Sequence, residues 1–244
     1  LDYPERVLEC IPTAKRANVQ GHDLTLVPHK PDEVRILRNL GIKAPAPILH
    51  YYDWPGGLAP YLHQRQTSAF LTMAFRGLVL NEIGTGKTHS ALWAADYLMK
   101  QGLVGKVLII SPLSTLERVW GDAIFKEFPH RIGVTLHGTA KRRMKRLHSE
   151  ADFYVINHDG FSIISDDCHG MFDLVIVDEA AVLRNPSTTR FRLFRRWLKE
   201  NDKTRLWLMT GTPTPNAPTD AWALAQLVGS PHVPRTFTAF RDQV

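Results

Sequence analysis

Residues 78–88 read LVLNEIGTGKT, and this stretch decides how the rest of the chain is interpreted. An apolar run is followed directly by a glycine-rich turn, which leads into a helix-like segment from residue 88 onward. Glycine adopts backbone angles closed to other residues and lets a bound group approach the main chain. The order of strand, Gly-rich turn, Lys-Thr and helix is typical of a loop that cradles phosphate groups.

The second half of this loop fits the phosphate-binding pattern of Gly, four free residues and Gly-Lys-Ser/Thr, whereas Asn81 stands at the first glycine position. Backbone N–H groups and the N-terminus of the following helix would form a concave anion site. Lys87 is predicted to reach the β- and γ-phosphates of ATP, and the Thr88 hydroxyl to bind Mg²⁺. The predicted nucleotide-binding residues here are Glu82, Ile83, Gly84, Thr85, Gly86, Lys87, Thr88 and His89.

Taken alone, these residues also allow a glycine-rich turn that binds nothing, and the segment LVIVDEAA at residues 174–181 argues against that alternative. Four apolar strand residues deliver Asp178 and Glu179 to the end of a strand. Asp178 is predicted to hold the Mg²⁺, and Glu179 to polarise the attacking water as general base. Lys87, Asp178 and Glu179 are therefore the predicted catalytic residues.

Short apolar runs alternate with amphipathic stretches from about residue 78, which predicts a parallel sheet covered by helices on both faces. The carboxyl ends of the strands would then share one edge, where ligands bind. The predicted strands are GLVLN, GKVLIIS, IGVTLH, DFYVINH, FDLVIVDE and TRLWLMT. The predicted helices are Thr88–Lys100, Ser114–Phe128, Thr139–Ser149 and Thr188–Glu200.

Residues 1–57 have a different pattern and are predicted to be a small accessory segment before a domain at 58–244. VLECI, RANVQ and DLTLV predict a small β meander. PDEVRILRNLG predicts a short helix that ends at Gly41, and Pro and Gly residues between 45 and 57 predict a linker. This segment is expected either to bind DNA or to cover the sheet edge.

The composition favours a packed globular protein: 44% of the 244 residues are hydrophobic and 22% are charged. A net charge of +6 suits a polyanionic partner. The two cysteines, Cys10 and Cys168, lack zinc-ligand spacing, so we expect no zinc and a reducing intracellular compartment. No apolar stretch approaches the ~20 residues of a membrane span, and no signal pattern opens the chain, so neither a membrane location nor secretion is expected.

With these motifs in hand, residues 58–244 resemble the Swi/Snf-type group of superfamily-two helicases. The second motif is similar to DEAAVLRNPS at 178–187, and the third to TGTPTPNAPTDAWAL at 210–224. VLIISPLSTLERVWGDAIFKEF resembles motif Ia, and LHGTAKRR followed by YVINHDGF resembles the stretch through motif Ib. The third motif matches the family at Thr210, Gly211, Thr212, Pro213, Asn216, Asp220, Trp222 and Leu224.

The resemblance implies the α/β fold class in its three-layer, RecA-like P-loop form, and an ATPase that moves along double-stranded DNA without sequence preference. It implies that Gln64 reads the adenine edge, and that Thr210, Gly211 and Thr212 couple hydrolysis to movement. It also implies DNA contacts from two motif loops and from a pair of residues after the second motif: Ser111, Pro112, Leu113, Ser114, Asn157, His158, Arg184 and Asn185. For Asn157 and His158, a capped strand end is the alternative.

Three departures from the family pattern bear on function. Ala181 replaces a histidine whose hydrogen bond helps to link the nucleotide site to motif III. PYLHQ differs from the usual surroundings of the adenine-reading glutamine. The chain ends soon after motif III, so we expect the second RecA-like domain and its arginine finger in a longer form of the protein, with weak hydrolysis by this half alone. A strand-separating DNA or RNA helicase, and a nucleotide sensor that does not hydrolyse ATP, remain alternatives.

Two basic tracts are candidates for a charged helical face. KRRMKR spans residues 141–146, and RFRLFRRWLK spans 190–199. Phe191, Phe194 and Leu198 recur at helical spacing and are predicted to face the core, with the arginines on the opposite side. A solvated surface and a DNA-binding surface both fit such a face.

Overall fold

The computed structural model describes residues 3–57, 59–212, 214 and 217–244. The chain divides into two units, one up to Asp53 and one from Trp54 onward.

The first unit combines short helices with a β-hairpin, and one of its predicted strands is wrong. The first four residues of the predicted strand VLECI form the second half of a helix, and the N–H of Ile11, just beyond it, still donates to the carbonyl of Val7 (2.9 Å). The other two predicted strands are confirmed and pair antiparallel through Gln20 and Gly21, both at positive φ, as in two-residue hairpin turns. The elements are α1 Tyr3–Cys10, β1 Lys15–Val19, β2 His22–Leu26, α2 Pro31–Asn39 and α3 Ile48–Tyr51.

The second unit contains a six-stranded sheet, and all six predicted strands are confirmed. The strands are β3 Arg76–Val79, β4 Val107–Ser111, β5 Gly133–Thr135, β6 Phe153–Asn157, β7 Leu174–Asp178 and β8 Arg205–Met209. Their order is β3-β8-β7-β4-β6-β5, and every neighbouring pair is parallel. The carboxyl ends of all six strands therefore lie along one edge of the sheet.

Helices connect the strands, and the four predicted helices are confirmed with one change. The segment predicted as one helix at 114–128 begins as a π-helix at Leu116–Gly121 and continues as an α-helix. Helices at 62–73, 161–164, 221–228 and 237–241 are additional to the predicted set. The α-helices of this unit are α4 Leu62–Met73, α5 Lys87–Lys100, α6 Asp122–Glu127, α7 Ala140–Leu147, α8 Phe161–Ile164, α9 Thr189–Glu200, α10 Ala221–Val228 and α11 Phe237–Arg241.

Successive residues of each strand face opposite sides of the sheet, and helices pack on both sides, which gives three layers. Val175 and Leu208 pack in one buried cluster with residues of α7, α8, α9 and α10. Trp207 has the opposite orientation, and its indole N–H donates to the carbonyl of Ala74 just after α4 (3.2 Å). Helices α4 and α5 pack together on that side. None of the helices in the described residues is long and apolar enough to cross a bilayer.

Helix α9 offers a test of this packing, because neighbouring residues face opposite ways. Phe194 is 2% exposed and contacts the rings of Phe161 and Trp197, whereas Arg195 is exposed. We expect Phe194→Ala to lower the free energy of unfolding by about 3–5 kcal/mol through the cavity it leaves. Arg195→Ala is the matched control and should change it by no more than about 0.5 kcal/mol. Urea unfolding followed by circular dichroism measures both, and equal losses would contradict the assigned face.

Candidate functional site

The loop between β3 and α5 has the backbone of a phosphate-binding loop. Gly84 and Gly86 have φ values of 82° and 78°, in the left-handed region that favours glycine. A Cβ atom at Gly86 would lie 2.1 Å from Nε2 of Gln64, whereas one at Gly84 would meet open space. Gly86 is therefore required both by its backbone angles and by the side chain packed against it.

Lys87 is the first residue of α5, and its side chain reaches back to the loop. Its side-chain nitrogen donates to the carbonyl oxygens of Asn81 (2.8 Å) and Glu82 (2.9 Å), and the residue is only 8% exposed. Asn81, which occupies the first glycine position of the pattern, donates from its side-chain amide to the Thr67 hydroxyl on α4 (2.9 Å). The loop is thus fixed both to its own lysine and to α4, while Ile83 at its tip is 81% exposed.

Gln64 supports the loop from α4. Its Oε1 accepts from the backbone N–H of Tyr61 (2.9 Å), and its Nε2 donates to the carbonyl of Thr85 (3.3 Å). The Nε2 of His63 lies 3.0 Å from the same carbonyl. Both polar atoms of the Gln64 amide therefore make contacts within the protein.

A cavity of about 300 Å³ opens beside Gln64 and the start of α5. His89 borders it, and the Nε2 of His89 lies 2.5 Å from Oε1 of Glu127. Tyr61, Trp93 and Glu127 line the cavity but were absent from the predicted set, because no phosphate-binding motif includes them. Its lining residues are Gly56, Gly57, Ala59, Tyr61, Gln64, His89, Trp93 and Glu127.

The two acids lie at the end of β7, where the predicted pattern placed them. Asp178 is 7% exposed, and its Oδ2 accepts from the indole N–H of Trp120 (3.0 Å) while its Oδ1 accepts from the backbone N–H of Glu179 (3.0 Å). Burial raises the pKa of Asp178, although the Trp120 hydrogen bond and the charge of Lys87 oppose the rise. Burial and the Asp178 charge raise the pKa of Glu179, again opposed by Lys87. The lysine thus acts electrostatically on both acids.

The oxygen atoms at this edge suit a magnesium ion. Mg²⁺ prefers hard oxygen ligands, usually one or two protein groups together with substrate phosphates and water. The Asp178 carboxylate and the Thr88 hydroxyl, one residue into α5, are ligands of this kind. Gly84, where a Cβ atom would meet open space, leaves the main chain at the loop tip open to phosphate, so the residues present fit Mg²⁺ with a nucleotide.

The third-motif residues lie beside the phosphate-binding loop. Thr210 is fully buried, and its N–H donates to the carbonyl of Val79 at the end of β3 (3.1 Å). A Cβ atom at Gly211 would lie 3.4 Å from the backbone nitrogen of Ile83. Thr212 donates its N–H to the Thr210 hydroxyl (3.2 Å). Pro213 and Asn216 of the same motif lie outside the described residues.

The residues predicted to contact DNA divide into exposed and inward-facing groups. Leu113 is 61% exposed and Ser114 and Asn185 are also exposed, whereas Ser111 is buried and Pro112 is half-buried. Arg184 is half-buried and donates to the carbonyl of Ala181 (3.3 Å).

Motif Ib turns its polar side chains into the protein. The Nε2 of His158 lies 2.8 Å from the carbonyl oxygen of Asp178, and burial lowers the pKa of this histidine. Oδ1 of Asn157 accepts from Nη1 of Arg143 (2.8 Å). Arg143 is 8% exposed and also donates to the carbonyls of Leu136 and Gly138, so the basic tract at 141–146 is not a uniform solvated face. The sequence gives no signal that separates Arg143 from its neighbours.

Comparison with known proteins places this site in a family. Residues 61–244 match the SNF2-related domain. The chain is 27% identical over 195 residues to the human lymphoid-specific helicase, covering 74% of this chain and 22% of that protein. It is 27% identical over 173 residues to the ATP-dependent DNA helicase DDM1 of Arabidopsis thaliana, covering 67% and 22%. It is 28% identical over 166 residues to the chromatin-remodeling ATPase INO80 of Lodderomyces elongisporus, covering 62% and 10%.

The chain thus spans between 10% and 22% of the lengths of these three relatives. Among solved structures, the Sulfolobus solfataricus SWI2/SNF2 ATPase core in complex with dsDNA has the same fold, with a TM-score of 0.61 and 21% identity over 76% of this chain and 40% of that one. The match over residues 61–244, three quarters of the sequence, shows that the chain belongs to the SNF2-related domain family.

Proposed function

We propose that this chain is the N-terminal RecA-like motor domain of an ATP-driven translocase that moves along duplex DNA. The observation that carries the proposal is the placement of Lys87, Thr88 and Asp178 with Glu179 at one sheet edge, with Lys87 acting on both acids. The relatives named as ATPases and DNA helicases, and the structural neighbour bound to dsDNA, support the same substrates. We further propose that residues 1–57 form an accessory segment of the motor.

The phosphate loop supplies binding and orientation. The N-terminus of α5, a helix of 14 residues, directs its free N–H groups and positive dipole end at the phosphates. The Lys87 ammonium exchanges the carbonyls of Asn81 and Glu82 for phosphate oxygens, a stronger charge-assisted contact. The adenine base of ATP occupies the cavity bordered by His89 and Trp93, beside Gln64.

Glu179 acts as the general base. Burial and the neighbouring Asp178 raise the pKa of Glu179, which makes its carboxylate a better proton acceptor for the attacking water. Mg²⁺, held by Thr88 and Asp178, would neutralise charge on the phosphate oxygens. A second RecA-like domain of the same protein completes the site in this proposal, with an arginine that in related NTPases is worth on the order of 10³–10⁵ in rate.

The DNA contacts fall to the exposed loops at the same edge. Leu113, Ser114 and Asn185 are accessible, and contacts of this kind to the phosphate backbone carry no sequence information. Thr210 and Gly211, between β8 and the phosphate loop, would transmit the state of the nucleotide to the neighbouring domain.

Two substitutions separate nucleotide binding from hydrolysis. We expect Lys87→Ala to weaken binding of Mg·ATP by about 10–100-fold, because a charged hydrogen bond is worth roughly 1.5–3 kcal/mol. Glu179→Gln should keep binding and lower DNA-stimulated hydrolysis in the longer protein by about 10²–10⁴-fold. Calorimetry and a phosphate-release assay measure the two effects, with the exposed Lys203→Ala, outside both basic tracts, as control. If Glu179→Gln left the phenotype of the longer protein unchanged, a sensor that does not hydrolyse ATP would be favoured.

The two loop glycines give a matched pair of variants. Gly84→Ala and Gly86→Ala both force a left-handed alanine, at about 1–2 kcal/mol each, but only at Gly86 does the new methyl group displace the Gln64 amide from Thr85. We expect Gly86→Ala to weaken nucleotide binding roughly tenfold more than Gly84→Ala. In a Gln64→Ala background the two variants should become equal, since the clash is gone. A difference that persists in calorimetry would show that the Gln64 contact is not the cause.

The mode of movement is tested with the longer protein and two DNA substrates. A duplex translocase should displace the third strand of a triplex in an ATP-dependent manner and leave a forked duplex unopened. Gel analysis of both substrates, with Glu179→Gln as the inactive control, distinguishes this from a strand-separating helicase. Strand separation without triplex displacement would rule out translocation along duplex DNA.

A further inference from the structure

The carboxylate of Asp178 is held by a side chain from another part of the chain. Its Oδ2 accepts from Nε1 of Trp120 at 3.0 Å, and Trp120 is completely buried. Trp120 lies in the π-helix Leu116–Gly121, an uncommon element that is frequent at functional sites. Because Oδ1 accepts from the backbone N–H of Glu179, the rotamer of Asp178 is fixed at both oxygens.

The main chain of Asp178 is held as well. Its carbonyl oxygen lies 2.8 Å from Nε2 of His158. A carbonyl oxygen only accepts hydrogen bonds, so Nε2 of this ring must carry the proton and donate. His158 reaches this carbonyl from the 3₁₀ turn that follows β6.

These contacts flank a strained residue. Glu179 has φ 48° and ψ 51°, in the left-handed region that non-glycine residues rarely adopt. Such a conformation persists only where the surrounding structure determines it. The bonds to Asp178 on the preceding residue fix the chain on one side, and a hydrogen bond from the N–H of Val182 to the carbonyl of Glu179 (3.3 Å) fixes it on the other.

We propose that Trp120 and His158 are positioning residues for the metal site: Trp120 sets the carboxylate of Asp178, and His158 sets the backbone from which Asp178 and Glu179 project. The inference rests on the proposed function, because it concerns how Asp178 presents its remaining lone pairs to Mg²⁺. Partners that hydrogen-bond to a ligating carboxylate typically change metal affinity by about 10–100-fold when they are replaced.

The two segments that supply these residues also supply the expected DNA contacts. Trp120 follows the loop with Leu113 and Ser114, and His158 follows Asn157 directly. Ala181, where the family has a histidine, carries only a methyl group. Trp120 and His158 therefore make direct polar contacts from these two segments to Asp178.

The test measures the Mg²⁺ dependence of nucleotide binding by the 244-residue chain, with a fluorescent ATP analogue titrated in EDTA and at increasing Mg²⁺. Trp120→Phe keeps the ring and removes the N–H. We expect the Mg²⁺ concentration for half-maximal effect to rise about 10–100-fold, with little change of affinity in EDTA. The matched control is Trp207→Phe, which removes the indole N–H of another fully buried tryptophan that donates to the Ala74 carbonyl. It should leave the Mg²⁺ dependence unchanged.

His158 gives an independent pair. His158→Leu removes the donor and should raise the Mg²⁺ requirement. His158→Gln keeps an N–H donor at a similar reach, so its Mg²⁺ requirement should stay close to that of the wild type. This pair decides the question if Trp120→Phe does not fold. A folded Trp120→Phe or His158→Leu with wild-type Mg²⁺ dependence would overturn the inference while leaving the proposed function intact. A wild-type chain that binds no nucleotide would overturn both.

Discussion

The site depends on the in-register parallel pairing of β7 between β4 and β8. Asp178 pairs with Met209 and Val177 pairs with Leu208, so the position of the acid is set by its neighbour strand. Because strand side chains alternate, a slip of one residue would turn Asp178 to the opposite face of the sheet. All five residues of β7 are buried, and this burial makes any other register costly. The phosphate loop, third motif and both acids then share one edge.

The electrostatics of the edge follow from that burial. A carboxylate taken out of water resists ionisation, which is why the pKa values of Asp178 and Glu179 are both raised. Lys87 and the indole of Trp120 counteract this effect at Asp178, and Lys87 does so at Glu179. Lys87 therefore opposes, at both acids, the rise in pKa that burial causes.

The strands of the large sheet could be predicted because nearly all their residues are apolar. A short apolar run elsewhere fits a helix as well as a strand, so its structure could not be predicted. The strands of the large sheet are continuous apolar runs, and their order along the chain predicts the parallel edge. VLECI was predicted as a strand because a short apolar run fits either element, whereas its first four residues belong to α1. Helix α4 has many polar residues and a weak apolar stripe, so its sequence carried little signal.

For the functional site, the sequence predicted the residue types at the strand ends but not the direction of the side chains around them. Motif spacing predicts Lys87, Thr88, Asp178 and Glu179 as site residues, because a phosphate loop and a metal-binding acid require those residue types at the ends of strands. It did not predict which way the polar residues beyond a strand would turn. His158 was expected to contact DNA or to cap a strand end, and Arg143 lies in a tract expected to be either a solvated or a DNA-binding face. Both side chains instead donate to groups within the protein. The partner of His158, a backbone carbonyl of β7, lies 20 residues away in sequence and becomes its neighbour only through the strand order. Arg143 instead bonds to carbonyls five and seven residues before it, so there the local chain path before α7 decides which way the side chain turns. Polar side chains reach Asp178 from the π-helix that follows β4 and from the 3₁₀ turn that follows β6, because the strand order places β4 beside β7 and β6 beside β4.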